Sequence, residues 1–383
     1  MKTFCSYYNQ GVCKSCELIT LDYADQIKAK EEHLIALLAA VNATPLLPSA
    51  PSSPWHFRNK AKLVVTGSLE DPILGLWGEA DLDVGRELLT CPLHLTAINE
   101  MLPPLKKFIQ LAKLAPYQIS SKKGELKGLI LFHSPATQES YLRFVLRSQE
   151  GLDRIKKNLS VLTTELPHVK CISANIQPIP HAILEGEEEI FFTDKISIQH
   201  QLGDIHFSLG PRAFVQTNQE VAQKLYQTAA SWVKDSGLES MMELYCGQGA
   251  FSFFCAPHVT RGLGIEINPD AIAEANRTAE LYSYHHLKFI SADAGKVSQE
   301  IKAFHPEIML VNPPRRGLAE ASELLLKEAP EMIIYSSCNA QTLANDLKKL
   351  GKQYEVTKVQ LFDMFPHTKH FETLVELRAI KTI

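Results

Sequence analysis

The sequence predicts two domains, a β-rich α+β half over residues 1–205 and a Rossmann-like α/β half over residues 206–383, and three observations carry the prediction. A chain of 383 residues is longer than one hydrophobic core usually grows. Between Phe57 and Phe144 apolar residues recur with period two, as half-buried strands require. Beyond Gly210 short apolar strands alternate with helical stretches, the pattern of a parallel, doubly wound sheet. No apolar run approaches the roughly 18 residues that span a bilayer, so no membrane partner is expected. The start, Met1-Lys2-Thr3-Phe4-Cys5, lacks the apolar region of a secretory signal, and a cytoplasmic location is expected. Eight cysteines in that compartment are more plausibly metal ligands or catalysts than disulfides.

The first segment holds Cys5, Cys13 and Cys16. A helix is predicted from Ala24 to Val41 on the spacing of Ile27, Leu34, Leu37, Leu38 and Val41, and the Pro- and Ser-rich stretch Leu46 to Pro54 ends it. Strands are predicted over Phe57 to Thr66, Ile73 to Trp77, Leu126 to Phe132 and Tyr141 to Arg147. Alternation puts Arg58, Lys60 and Lys62 on one face of the first and Arg143 and Arg147 on one face of the last, with Lys122, Lys123 and Lys127 around Gly124. The net charge is −4, yet Met101 to Lys170 holds 12 Lys/Arg against 5 Asp/Glu, while acidic residues gather at Glu185 to Glu189. Such a face suits an RNA backbone, and a solvated sheet face explains it equally well. Gln199 to Gly210 is poorly patterned and reads as a connection. No internal repeat is present.

In the second half the strands read Met241 to Tyr245, Gly262 to Ile267, Leu287 to Ser291, Ile308 to Asn312 and Met332 to Ser336, with two more near Val356 to Leu361 and Glu372 to Leu377. The first runs into Tyr245-Cys246-Gly247-Gln248-Gly249, a turn whose glycines let backbone approach a ligand closely. A phosphate-binding loop would carry a third glycine, which is missing here. Glu266 ends the next strand 19 residues beyond Gly247, where a carboxylate can accept both ribose hydroxyls. A nucleoside without a pyrophosphate fits best, and S-adenosylmethionine is the commonest such cofactor on this fold. Asp293 can reach an adenine or simply close a turn. Asn312-Pro313-Pro314-Arg315-Arg316-Gly317 forms a rigid loop at the same sheet edge; with arginine rather than an aromatic at 315, methylation of an exocyclic amine is disfavoured.

Ser336-Ser337-Cys338-Asn339 places a cysteine just past the fifth strand, on the cofactor's edge. Cys171 and Cys255, by contrast, read as small buried hydrophobes. Uracil C5 is a poor nucleophile until a thiolate adds to C6, and a base must later remove the C5 proton so that the cysteine can leave. Glu372, at the head of the apolar strand Thr373-Leu374-Val375, is the candidate base. His367 and His370 have zinc-like spacing but no companion ligands nearby.

Together these residues resemble the bacterial RNA uracil-5-methyltransferase family over essentially the whole chain. The segment Pro211 to Asn218 is similar to the one whose glutamine contacts cofactor and target base, which implies that role for Gln216. The resemblance likewise implies S-adenosylmethionine contacts at Tyr245, Glu266 and Asn312, beside the Gly247 turn read above as cofactor-binding, a nucleophile at Cys338 and a base at Glu372. Many members have aspartate at the place of Asn312; a subgroup acting on uracil-747 of 23S ribosomal RNA has asparagine, so 23S ribosomal RNA is the implied partner and a monomer the expected state. That subgroup lacks the β-barrel that precedes the cysteines in longer relatives. The resemblance also implies a [4Fe-4S] cluster on Cys5, Cys13, Cys16 and Cys91. Four thiolates suit iron-sulfur or structural zinc alike, and the C-x3-C-x2-C of a radical enzyme is absent. Two rivals stay open: the same chemistry on transfer RNA, and a non-catalytic RNA-binding iron-sulfur module. A DNA cytosine methyltransferase would have proline before its cysteine, where Ser337 stands.

Overall fold

The computed structural model describes residues 3–41, 45–78, 83–179 and 185–380. The chain divides into two compact units, Met1–Cys16 with Pro54–Arg212, and Glu17–Ser53 with Ala213–Ile383. The division therefore differs from the expected break at 205/206: residues 17–53 belong to the second unit. The reason is pairing and burial. Leu47–Ala50 joins the sheet of the second unit beside Tyr354–Phe362, and Leu34 and Leu38 of the helix Tyr23–Leu38 sit in that unit's core. Sequence periodicity reveals an element's type but not its distant partner.

The first unit is built on a seven-stranded sheet in the order Arg86–Glu87, Pro72–Leu76, Lys60–Gly67, Leu126–Ser134, Glu139–Leu146, Val169–Ile176, Glu188–Phe191. One face packs on two helices, Thr96–Leu111 and Leu152–Glu165, through Leu102, Leu105, Phe108, Ile155 and Leu162. Pro103 and Pro104 lie inside the first of these helices, whose buried residues Ile98, Met101, Leu102, Leu105, Phe108 and Ile109 keep helical spacing. The stretch read as a bare connection is a hairpin, Ile198–Leu202 with Ile205–Leu209, turning at Gly203.

Much of the basic face foreseen on this unit is engaged from within. The Arg143 side chain is 1% exposed and donates from Nε to both carboxylate oxygens of Glu189, at 3.0 and 2.9 Å. Arg147 pairs with Glu125, and Lys62 with Glu185 at 2.7 Å. Lys127 donates to the Gln177 and Ile179 carbonyls, while Lys60 lies over the Tyr141 ring. The acidic run at 185–189, which looked separate in sequence, supplies partners because Glu188–Phe191 pairs with Val169–Ile176. Lys122 and Lys123 stay exposed.

The second unit carries an eight-stranded sheet in the order Leu47–Ala50, Tyr354–Phe362, Glu372–Ala379, Met332–Ser337, Ile308–Val311, Ser240–Leu244, Arg261–Glu266, Leu287–Ser291. Only Glu372–Ala379 runs antiparallel to its neighbours. The strand order reverses between Ser240–Leu244 and Ile308–Val311, the switch point where an open α/β sheet leaves a crevice beyond its carboxyl ends. Each strand anticipated from sequence in this half lies within about two residues of its place.

Candidate active site

The Gly-rich turn lies at that switch point. Tyr245, at the end of its strand, has φ +62°, a left-handed conformation that a non-glycine residue holds at a cost of about 1–2 kcal/mol. Gly247 follows at φ +54°, and a Cβ there would meet no atom within 4 Å, so this backbone borders open space. Gly249, at φ +83°, is demanded by packing, since a Cβ would stand 2.7 Å from the Phe289 ring. The turn is anchored by two carboxylates. Glu266 accepts from the Gly247 amide at 3.2 Å and from Asn268 N at 3.0 Å. Beneath it Glu243 is fully buried, accepts from the Ser252 amide at 3.0 Å and is pushed up to about 8 by that burial.

Asn312 follows the fourth strand, its amide 3.4 Å from the Leu244 carbonyl, so it stands beside the glycine turn. Asp293 accepts from the Gly295 amide at 3.0 Å, the turn contact foreseen as one of its two roles. Gln216 is buried in the segment leading into the helix Gln219–Ser236.

The candidate reacting pair is assembled by strand register. Ser337 lies opposite Thr373, and Phe362 opposite Glu372, so the head of the antiparallel strand falls beside the tail of Met332–Ser337 and sets Glu372 near Cys338. Glu372 is 3% exposed, and its Oε2 has no hydrogen-bond partner. Burial pushes its carboxyl up to about 8, with Arg315 pulling the other way. The Cys338 thiol is raised by burial and by the Glu372 charge, while Arg315, which hydrogen-bonds the thiol, opposes the rise.

Arg315 thus serves both groups, a role the sequence reading did not give it. Its loop is clamped: the Arg315 carbonyl accepts from Asn339 Nδ2 at 3.1 Å and from Thr342 Oγ1 at 3.2 Å, and Asp346 accepts from the Leu318 amide at 2.9 Å. The signal was an arginine after two prolines at the carboxyl edge of a strand. Arg315, Cys338, Asn339, His370 and Phe371 line a cavity of about 180 Å³.

In the first unit the Tyr7 hydroxyl bonds Thr90 and Arg86 donates to the Val12 carbonyl at 2.8 Å, which brings Cys91 to the N-terminal cysteines. Burial, then the neighbouring thiols of Cys91, Cys13 and Cys5, push Cys16 up to about 12. All four are free thiols, and among the described residues no three His, Cys, Asp or Glu side chains converge at metal-ligand spacing. The four cysteines share one neighbourhood, and among the described residues they do not form the expected four-thiolate ligand set. Among the described residues no helix is long and apolar enough to cross a membrane.

A doubly wound sheet with a nucleoside-type turn at its switch point is the architecture of an S-adenosylmethionine-dependent methyltransferase. Comparison with known proteins gives the family. The model of the tRNA (uracil-5-)-methyltransferase family matches residues 184–380. A Xenorhabdus bovienii protein named 23S rRNA (uracil(747)-C(5))-methyltransferase RlmC is 44% identical over 374 residues, covering 97% of this chain and 98% of that one. A Vibrio cholerae protein of the same name is 42% identical, covering 97% and 99%. The crystal structure of Pyrococcus abyssi tRNA (uracil-54, C5)-methyltransferase in complex with S-adenosyl-L-homocysteine matches with TM-score 0.80 and 26% identity, covering 95% of this chain and 85% of that one. The chain belongs to the RNA uracil-5-methyltransferase family.

Proposed function

We propose that this enzyme methylates C5 of a uracil in 23S ribosomal RNA, the one numbered 747 in its named relatives, with Cys338 as nucleophile and Glu372 as base, acting in the cytoplasm as a monomer. The observation that carries the reading is the register that sets a buried carboxylate, with no partner on Oε2, beside a cysteine at the cofactor edge. The cavity lined by Cys338 has room for a single base, so the target uracil would enter it flipped out or from a single strand.

Tyr245, Gly247, Glu266, Asn312 and Gln216 would hold S-adenosylmethionine, with the open space at Gly247 and the Glu266 carboxylate as the features that fit a nucleoside. When bound, it supplies an electrophilic methyl group for C5 and departs as the neutral thioether. Arg315 favours the thiolate of Cys338, which adds to C6 and forms the C–S bond as electron density moves toward C5 and O4. Burial keeps Glu372 in its acid form near neutrality, so it does not repel that thiolate while it forms. Before the last step Glu372 loses its own proton to solvent, and as the carboxylate it takes the proton from methylated C5; the electron pair restores the C5=C6 double bond and Cys338 leaves as thiolate.

Cys5, Cys13, Cys16 and Cys91 would hold the [4Fe-4S] cluster, to which four soft thiolates in one neighbourhood are suited. The cluster would order a unit that grips RNA, with Lys122 and Lys123 among its exposed cations. The test is to map methylated uridines in RNA from a strain lacking the gene and from the same strain with it restored. Loss and return of one 5-methyluridine at position 747 of 23S ribosomal RNA is expected; loss from transfer RNA instead would refute the substrate, and no change would refute the activity.

A further inference from the structure

Helix Tyr23–Leu38 buries a stripe whose first half is polar. Gln26, Lys30, Leu34 and Leu38 are each at most 2% exposed, and lysine is almost never so buried unless paired. The partners converge on one segment, residues 363–367. Lys30 Nζ donates to Asp363 Oδ1 at 2.5 Å and to the Phe365 carbonyl at 3.1 Å. The Tyr23 hydroxyl donates to Asp363 Oδ2 at 2.7 Å. Gln26 Oε1 accepts from the His367 amide at 2.9 Å, and Gln26 Nε2 meets His367 Nδ1 at 3.1 Å. Leu18 N donates to the His367 carbonyl at 2.9 Å, and Asp363 N to the Ala50 carbonyl at 3.0 Å.

This segment is the connection between Tyr354–Phe362 and Glu372–Ala379, and its far end, His370 and Phe371, lines the reaction cavity before reaching Glu372. His367 is held at φ +65°, a left-handed conformation that is uncommon outside glycine. A buried ion pair is a poor device for stability, because apolar residues of like volume often serve as well or better, whereas it does discriminate one arrangement from its neighbours.

We propose that Lys30, Gln26 and Tyr23 are positioning residues for catalysis, fixing the 363–371 connection so that Glu372 meets the C5 proton. This rests on the reading of Glu372 as the base. The helix would act on the late step, release of the methylated base, and not on cofactor binding.

The decisive variant is the charge-free double, Lys30→Met with Asp363→Leu, because Lys30→Met alone strands a buried carboxylate and can unfold the chain. The double variant should melt within a few degrees of wild type and bind S-adenosylmethionine with unchanged Kd, while kcat falls at least tenfold. With methyl-labelled cofactor and target RNA, label should stay on a protein-sized band in a denaturing gel, marking unreleased adduct. A folded double variant with kcat within twofold of wild type, or with slowed turnover and no retained label, overturns the proposal. Glu372→Gln is run beside it: if that variant retains no label, the base assignment fails, whereas label in Glu372→Gln but not in the double variant sinks the positioning role alone.

Discussion

Replacing Glu372 by glutamine should stabilise the free enzyme at alkaline pH while abolishing turnover. The carboxyl is buried, lacks a partner on Oε2 and is raised from 4.5 to about 8. A group whose folded pKa exceeds its unfolded value gives its full stabilisation below the unfolded value and loses it as pH rises through the folded one. For Glu372 the loss starts near pH 4.5 and is complete a little above pH 8. At 1.36 kcal/mol per pH unit, the shift corresponds to roughly 5 kcal/mol at its alkaline limit. Glutamine mimics the protonated acid and carries no such penalty. Urea unfolding of both proteins from pH 5 to pH 9, without RNA or cofactor, should give a stability difference that grows in favour of Glu372→Gln, reaching several kcal/mol by pH 8.5. Glu243, raised to a similar value, titrates equally in both proteins and cancels from the difference. A difference that stays constant across this range would mean that Glu372 ionises freely in the fold, and the reasoning from its burial would fail.

Three further outcomes follow from the geometry. Protein purified without oxygen should be brown and hold about four irons per chain, and Cys16→Ala should bleach it; a colourless preparation with stoichiometric zinc would replace the iron-sulfur assignment. Glu266→Ala removes the acceptor for the Gly247 and Asn268 amides, so S-adenosylmethionine Kd by calorimetry should rise about 10- to 100-fold, the size of a lost hydrogen bond to a charged group, with Cys338→Ala unaffected. Arg143→Ala removes the closest cation from half-buried Glu189, which keeps Ser173, Asn175 and Arg212 as partners, and should cost about 1–3 kcal/mol in urea unfolding, whereas Lys122→Ala with Lys123→Ala should leave stability alone and flatten the salt dependence of RNA binding.

The parts legible in the sequence are those whose signal is local. The strand ends at Tyr245, Glu266, Asn312 and Cys338 were readable because an apolar run followed by a loop residue marks the carboxyl edge of a parallel strand, and a doubly wound sheet brings those edges together. Arg143 was misjudged for the opposite reason. Its alternation was read correctly, but its neutralising partner Glu189 comes from a strand 46 residues away. Lys30 carried no warning in sequence either, since a lysine in a helix of mixed polarity reads as solvent-facing until Asp363, 333 residues on, is placed against it. Arg315 stood in view as an unusual residue of the double-proline loop; the thiol that it serves became visible only when Asn339 and Thr342 were seen to clamp its carbonyl.

The most direct test of the account is to follow a labelled methyl group through the two reacting residues. Wild-type enzyme should move the label from S-adenosylmethionine to RNA and release it, and Cys338→Ala should bind RNA and transfer nothing. Glu372→Gln should add its thiolate and accept the methyl but fail to remove the C5 proton, so the label should migrate with the protein on a denaturing gel. Adding Cys338→Ala to Glu372→Gln should erase that band. Label that persists on the protein without Cys338, or a Glu372→Gln enzyme that releases methylated RNA at the wild-type rate, would contradict the assignment of nucleophile and base.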